Sequence, residues 1–326
     1  MLPHIEVLAR LDHHRFKSGQ DLADALQVTR ATIHNCILRL EQMGVAVDRV
    51  RGKGYRLRQP LDALNASAIQ SKLMPWANKK LEYLEVLQEI DSTNDYLRHW
   101  PLPSKKHCSV VLAEMQTAGK GRRGRCWQSP YGANIYMSLL WPLQKSLSET
   151  GALSAMLAIS VVRALAALGI SRLGLKWPND IYCQGKKLAG LLLECSGEIN
   201  GTSRLIIGCG INVWMSRQKR VQIDQQWTDI HSQIPMATIN RNEIIAAVIN
   251  QMVTVLDQFE GTRNDSHVRE WARWDIMHDK PVTLHGPNRS IEGVARGIDS
   301  QGCLLLDTHE GLQHISAGDV SLRGQQ

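Results

Sequence analysis

Between residues 119 and 125 the chain reads Gly119-Lys120-Gly121-Arg122-Arg123-Gly124-Arg125, three glycines interleaved with four cations. Glycine lets backbone N–H groups approach an anion closely and tolerates positive φ. Lysine and arginine supply charge, and arginine can clasp a carboxylate or phosphate with two parallel bonds. Trp127 follows with a flat face on which a base could stack. Apolar stretches at Val110–Met115 and Ile135–Trp141 bracket the segment, which a solvated basic tract seldom has. The chemistry expected is retention of a nucleotide or another anionic ligand. The spacing is neither a Walker A nor the strand–helix glycine unit of dinucleotide binders.

Other polar groups cluster at the ends of apolar runs. In Asp91-Ser92-Thr93-Asn94 the hydroxyls suit a polar ligand group, while Ser92 or Asn94 equally suits the cap of a helix over 94–99. Gln116 follows a strand and precedes the glycine loop, so its amide should face the same site. Trp177-Pro178-Asn179-Asp180 is a tight corner after Lys176. Asp180 there would bind magnesium, orient Lys176 and Lys187, or simply sit in a local ion pair. The polar, basic stretch 214–226 after Asn212 reads as a mobile loop beside the site.

The elements that must position these groups follow from hydrophobic period. Strands are expected over 81–90, 110–115, 135–141, 173–176, 181–183, 188–195 and 204–209, with few helices between them, which describes a mixed or antiparallel α+β sheet, not a doubly wound one. Leu153–Leu168 is apolar nearly all round and stops at Gly169, a helix buried against that sheet. Residues 65–73 and 240–259 form further helices.

Upstream, Ile5, Leu8, Ala9 and Leu11 mark a short helix; Ser18 caps a second, and Thr29 a third with Ile33, Ile37 and Leu40 on one stripe. Two helices joined by a tight turn can set the second into a DNA major groove. Arg30, Ala31, Thr32 and Asn35 lie on its polar face. Val45–Val50, the turn Arg51-Gly52-Lys53-Gly54 and Tyr55–Leu57 make a basic-tipped wing, and Lys plus Arg outnumber Asp plus Glu ten to seven over 1–62. Downstream of 276, five short strand candidates, separated in places by turns such as Pro287-Asn288, describe a small all-β barrel, the last covering Val320–Leu322.

Composition excludes several classes. A 326-residue chain with 43% hydrophobic and 21% charged residues is long enough for two or three domains of ordinary globular type, and its net charge of +7 favours anionic partners. Seven cysteines without a Cys-x-x-Cys pair, and 12 histidines without helical pairing, leave neither a disulfide framework nor a zinc site. No apolar run approaches the ~20 residues of a membrane span. The chain is expected to be cytoplasmic, with no membrane partner.

Taken together, Asp91-Ser92-Thr93-Asn94, the 119–124 loop, Lys176-Trp177-Pro178-Asn179-Asp180, Lys187-Leu188-Ala189-Gly190, Gly208-x-Gly210-Ile211-Asn212 and the Gly52-Lys53-Gly54-Tyr55 wing resemble, along almost the entire chain, the bifunctional biotin protein ligases and biotin operon repressors of enteric bacteria. The resemblance implies a winged helix-turn-helix over 1–62, a biotin/lipoate-ligase-type mixed-sheet catalytic domain over 63–275 and an SH3-like domain over 276–326. It implies that biotin and ATP, with Mg2+, give biotinyl-5′-AMP, and that a lysine of the biotin carboxyl carrier protein of acetyl-CoA carboxylase then takes the biotin. Ser92, Thr93, Asn94, Gln116, Lys120, Gly121, Arg122 and Lys187 would hold biotin, with Lys187 and Arg122 the catalytic cations. Gly119, Arg122, Trp127, Lys176, Asn179, Asp180 and Asn212 would hold ATP and the adenylate, Asp180 serving the magnesium, while the 214–226 loop folds over. Arg30, Thr32, Asn35, Arg51 and Lys53 would contact the biotin operator, and Arg123 would meet the second subunit of an adenylate-bound homodimer. One departure stands out: the family loop usually reads Gly-Arg-Gly-Arg-Arg-Gly, and here Lys120 takes the first arginine position, keeping the charge and losing the fork. Two rivals remain: a ligand sensor that no longer turns over, which the retained Lys187, Arg122 and 176–180 motif argue against, and a lipoyl or octanoyl transferase on the same kind of fold, which the full biotin-ligase motif set disfavours.

Overall fold

A computed structural model of the chain describes residues 3–143, 151–196, 203–215, 223, 225–234, 240–259, 265–286, 290–317 and 321–324. Its first unit is helical: α1 (Pro3–Leu8), α2 (Gly19–Leu26) and α3 (Arg30–Gln42), followed by the hairpin β1 (Val47–Val50) and β2 (Gly54–Leu57). Both expected caps form, Ser18 accepting from Asp21 N and Thr29 from Thr32 N. Ile33, Ile37 and Leu40 of α3 are fully buried with Val7, Leu22 and Leu57. The first helix ends earlier than Leu11, which is buried beyond it. Lys17 pairs with Tyr55 beside the wing; a Cβ on Gly54 (φ 103°) would collide with the Lys17 carbonyl, so the wing needs glycine there.

Three short helices, one long one and seven strands follow: α4 (Ala66–Ser71), α5 (Pro75–Lys80), β3 (Leu81–Leu87), α6 (Thr93–Arg98), β4 (Cys108–Ala113), β5 (Ile135–Leu143), then the long α7 (Gly151–Ala167), β6 (Leu173–Lys176), β7 (Asp180–Cys183), β8 (Lys186–Ser196) and β9 (Ser203–Ile211). The sheet order is β3-β4-β5-β9-β8-β7-β6, with β3 and β4 parallel and every other pair antiparallel. This is the mixed sheet the sequence implies. Alternation decides what each face carries. Val110, Leu112 and Leu139 join the large core under α7 and α9 (Arg241–Phe259), with α8 (Ile230–Gln233) nearby in sequence, whereas Val111, Leu140 and Ile206 pack against Leu97 of α6. Strand β5 is buried along its whole length, which is why its sequence runs apolar without alternation.

After α10 (Ser266–Trp274), a helix the sequence reading did not anticipate, come β10 (Pro281–His285), β11 (Ser290–Ile298), β12 (Leu304–Thr308), β13 (Gly311–Ile315) and β14 (Ser321–Gly324). They form one antiparallel sheet ordered β13-β12-β11-β10-β14. The expected turn at Pro287-Asn288 and the strand start at Val320 lie outside the described residues. Val282, Ala295, Leu304 and Leu322 belong to the same continuous core as the large sheet.

The helical unit is joined to the sheet by specific contacts. Arg39 pairs with Glu89 at 2.8 Å, Tyr131 N donates to Met43 O at 2.9 Å, and the Tyr131 side chain is buried in the helical unit's own core. Arg241, 1% exposed, pairs with Glu114 at 2.8 Å and donates from Nε to Asp62 O at 2.8 Å, clasping the connection between the units. Among the described residues no helix is long and apolar enough to cross a membrane.

Candidate functional site

The face of the sheet that carries α6 also carries a cavity of about 770 Å³. Its floor is made by missing side chains. Gly210 lies opposite Gly190 on β8 and Tyr136 on β5, and Gly208 lies opposite Ser138. A Cβ on Gly210 would sit 2.5 Å from the Trp127 ring, and one on Gly208 2.5 Å from Asn94 Oδ1. The glycines therefore let Trp127 and Asn94 lie directly on the strands.

At the α6 end the polar groups are bonded to one another. Ser92 accepts from Asp95 N at 3.4 Å, so it caps α6, and it lines the cavity as well. Thr93 donates from N and Oγ1 to Gln116 Oε1 at 2.9 and 3.1 Å, and Gln116 Nε2 donates to Ser129 Oγ at 3.2 Å. Ser138 Oγ lies 2.7 Å from Thr93 Oγ1 and 2.5 Å from Asn94 Oδ1. Such a network fixes the rotamers that a polar ligand must meet.

At the other end the groups are charged. Lys187 Nζ lies 2.8 Å from Asp180 Oδ1 and 5.5 Å from the Trp127 ring centroid. Lys176 Nζ stands 5.5 Å from the Tyr182 ring, whose hydroxyl burial pushes up to about 12, so it stays a neutral donor at physiological pH. Among the described residues the buried Trp127 Nε1–H has no hydrogen-bond partner. A donor left so is costly unless something accepts from it.

The 119–127 loop is itself a small hairpin. Trp127 N donates to Gly119 O and Gly121 N to Arg125 O, both at 2.8 Å. Arg123 sits at its tip with φ 58°, exposed, while the Arg122 guanidinium donates to the Ala317 carbonyl of the carboxy-terminal segment.

One cavity thus gathers Ser92, Thr93, Asn94, Gln116, Lys120, Gly121, Arg122, Trp127, Lys176, Asn179, Asp180 and Lys187 from widely separated stretches of sequence. Three residues of the expected set are used differently. Gly119 packs its bare Cα against Ser129 and Gln116, beneath the loop. Asn212 does not line the cavity and donates to Thr228 O at 3.0 Å. Asn179 lines it, but its amide donates to the Leu191 carbonyl and so braces β7 against β8. Of the 214–226 loop, Ile223 and Gln225 line the cavity and residues 216–222 and 224 lie outside the described residues. Sequence reasoning passed over Asp95, Tyr136, Ser138, Tyr182 and Glu194. A serine inside the otherwise apolar β5 run was the available signal for Ser138. Among the described residues no group of three His, Cys, Asp or Glu side chains is placed to hold a metal ion.

In the helical unit, Arg30, Asn35, Arg51 and Lys53 are exposed. Thr32 is half-buried, its hydroxyl 2.9 Å from Thr29 Oγ1.

A helix-turn-helix unit joined to a sheet whose glycine-floored cavity is ringed by cations defines a class, an anion-handling enzyme domain with a DNA-binding domain attached. Comparison with known proteins makes the class particular. Residues 86–212 match the Biotin/lipoate A/B protein ligase family, 278–323 the Biotin protein ligase C terminal domain and 4–56 an HTH domain. The chain is 36% identical over 324 residues to the bifunctional ligase/repressor BirA of Escherichia coli (strain K12), covering 99% of this chain and 98% of that one. It is 30% identical to the bifunctional ligase/repressor BirA of Bacillus subtilis (strain 168), covering 95% and 94%. The structure of the Aquifex aeolicus biotin protein ligase in complex with biotin and ATP superposes with a TM-score of 0.63 at 30% identity, over 75% of this chain and 100% of that one. The chain belongs to the bifunctional biotin ligase/repressor family.

Proposed function

We propose that the cavity binds biotin at its α6 end and ATP at its Lys176–Lys187 end, and that the chain works as a biotin protein ligase and biotin-responsive repressor. A biotin carboxylate oxygen attacks the α-phosphorus of ATP, the bond to pyrophosphate breaks, and biotinyl-5′-AMP forms. A lysine amine of the biotin carboxyl carrier protein of acetyl-CoA carboxylase then attacks the acyl carbon; AMP leaves, and the amine's proton passes to solvent. The observation that carries this reading is the junction of the two ends. Lys187 lies over Trp127 and beside Asp180, in a cavity shared by a hydrogen-bonded hydroxyl–amide network and a cationic loop.

The roles follow from those positions. Thr93, Asn94 and Gln116, with Ser92 beside them, present fixed polar groups to biotin's ureido end. Lys187 sits where the carboxylate and α-phosphate meet, and Arg122 and Lys120 close from the loop. Bringing two anions together and stabilising charge on the transferring phosphorus is a task of positioning and electrostatics, and it needs no acid–base dyad. Trp127 gives adenine a face, and its unpartnered Nε1–H gives an acceptor a bond. Gly119 and Asn212 support the site from outside the cavity, and Asn179 braces its corner. Among the described residues Asp180 is the carboxylate that lines the cavity, and Mg2+ commonly pairs one or two carboxylates with phosphate oxygens. Asp180 and the triphosphate would together hold that ion, which screens phosphate charge. Pyrophosphate exchange run with biotin and then with lipoate tests the reading. Exchange with biotin alone is expected, and exchange with lipoate alone would overturn it.

For the repressor half we propose that residues 1–62, 63–275 and 276–326 are three domains, and that α3 and the wing contact the biotin operator through Arg30, Thr32, Asn35, Arg51 and Lys53. Two copies would bind as a homodimer when loaded with adenylate, with Arg123 at the contact. The exposed polar face of α3 and the basic wing tip support this.

A further inference from the structure

The lysine that replaces the usual first loop arginine has a partner of its own. Lys120 Nζ lies 2.8 Å from Oδ1 and 2.6 Å from Oδ2 of Asp95, in the first turn of α6. The contact continues inward. Arg98 Nη2 stands 3.1 Å from Asp95 Oδ1 and 2.9 Å from Glu194 Oε1. Glu194 Oε2 in turn accepts from Asn94 Nδ2 at 2.7 Å, and Asn94 rests on the cavity floor over Gly208. A line of alternating charge thus runs from the glycine loop, across α6, to β8 under the cavity.

We infer that Asp95 is a positioning residue that fastens the 119–127 loop over the cavity through its ion pair with Lys120. Arg122 makes the loop's second anchor on the Ala317 carbonyl, so the hairpin is tied on both sides of Gly121, to α6 and to the carboxy-terminal segment. For release of the adenylate this rests on the ligase reading above; for the loop itself it does not. A carboxylate shared between Lys120 and Arg98 holds its place without arginine's fork, which is how a lysine serves at this position. The Lys120 and Asp95 side chains are 41% and 25% exposed, so water and salt weaken the pair. Its effect should therefore be a change in rate of about two- to fivefold, not a loss of function.

Two measurements on the full chain separate the latch from the ligase reading. In the first, without ligand, trypsin cleavage after Arg122, Arg123 and Arg125 is followed at low salt. Asp95→Asn should speed it about two- to fivefold, Asp95→Glu should stay near the parent rate, and the swap Asp95→Lys with Lys120→Asp should recover it. In the second, protein loaded with biotinyl-AMP is chased, and Asp95→Asn should release the adenylate faster by a similar factor with kcat for its formation unchanged. Raising the salt to about 0.5 M should bring the parent protein to the rate of Asp95→Asn, because the pair is screened. Lys120→Met, probed at the remaining arginines, repeats the first test should Asp95→Asn lose its thermal unfolding transition. Parent-like cleavage in both variants at low salt overturns the latch. A parent protein that forms no adenylate overturns the ligase reading, and the cleavage result still decides the latch.

Discussion

Lys187 is where one side chain should matter most to the chemistry. Its ammonium is held by Asp180 at 2.8 Å and faces the cavity between the two proposed ligand ends. Lys187→Ala should slow adenylate formation about 100- to 1,000-fold, the range seen when a pre-placed donor to developing charge is removed. Single-turnover synthesis checks it, and an unchanged rate takes Lys187 out of the site. Gly210→Ala tests the floor. The added methyl would lie 2.5 Å from the Trp127 ring and must push the indole off β9. The apparent KM for ATP should rise on the order of tenfold or more while biotin affinity moves less, as expected of misplaced positioning groups. Residue types and motif spacing were enough to nominate most of this cavity, because glycine beside cations is a local pattern. Partners were not legible. Asp95 and Glu194 meet through Arg98, and Asn94 reaches Glu194 across 100 positions of sequence. Asn212 and Asn179 sit in motifs yet spend their amides on Thr228 and Leu191 carbonyls, which depends on which way a strand-end side chain turns.

Elements carry the DNA-facing half. The period-3.6 stripe and the Ser18 and Thr29 caps marked α2 and α3, since capping and burial of one face are local matters. Helix α5, six residues long, escaped because its stability comes from packing on α9 and β3; α10, which packs on α7, β6 and β11, escaped although its nine residues bury His267 and Trp271 on one face. At the wing tip, Arg51→Ala or Lys53→Ala should each reduce the slope of log K against log salt by about one unit, and Asn35→Ala should relax sequence preference instead. Titrations of operator DNA at several salt concentrations check both, and a salt-insensitive complex would contradict a phosphate-gripping wing. The wing should also loosen in acid. Asp48 accepts from Arg56, its cross-strand partner, and from Arg58, which hold its carboxyl below the usual carboxylate range. A depressed folded value means the stabilisation is complete above the unfolded value near 4 and fades as pH falls through the folded one. Exchange protection of the wing amides, corrected for intrinsic rate, should thus drop between about pH 5 and pH 2, and Asp48→Asn should flatten that drop.

At the scale of the molecule, the segment between Met115 and Tyr131 touches everything that has to communicate. Its ends, Met115 and Tyr131, pack into the core of the helix-turn-helix unit, and its middle is the cationic loop over the cavity. Gln116 and Trp127 line the cavity, Arg122 reaches the Ala317 carbonyl, and Arg123 is left exposed at the tip in a left-handed conformation. Four cations on so short a loop repel one another until an anion lies among them, so ligand phosphate should lower the cost of ordering it. A single winged unit reads one half-site, and tight operator binding usually needs a two-fold pair. Biotinyl-AMP is therefore expected to promote dimerisation and operator binding together, with a coupling of about 1–3 kcal/mol. Arg123→Ala should weaken both by the same factor, at a smaller cost to adenylate synthesis, because a group that acts through the dimer changes DNA affinity only as far as it changes assembly. Sedimentation of the ligand-free and adenylate-loaded protein measures the first term and operator titration the second. Equal dimerisation constants with and without adenylate would sink the mechanism, however active the enzyme proved.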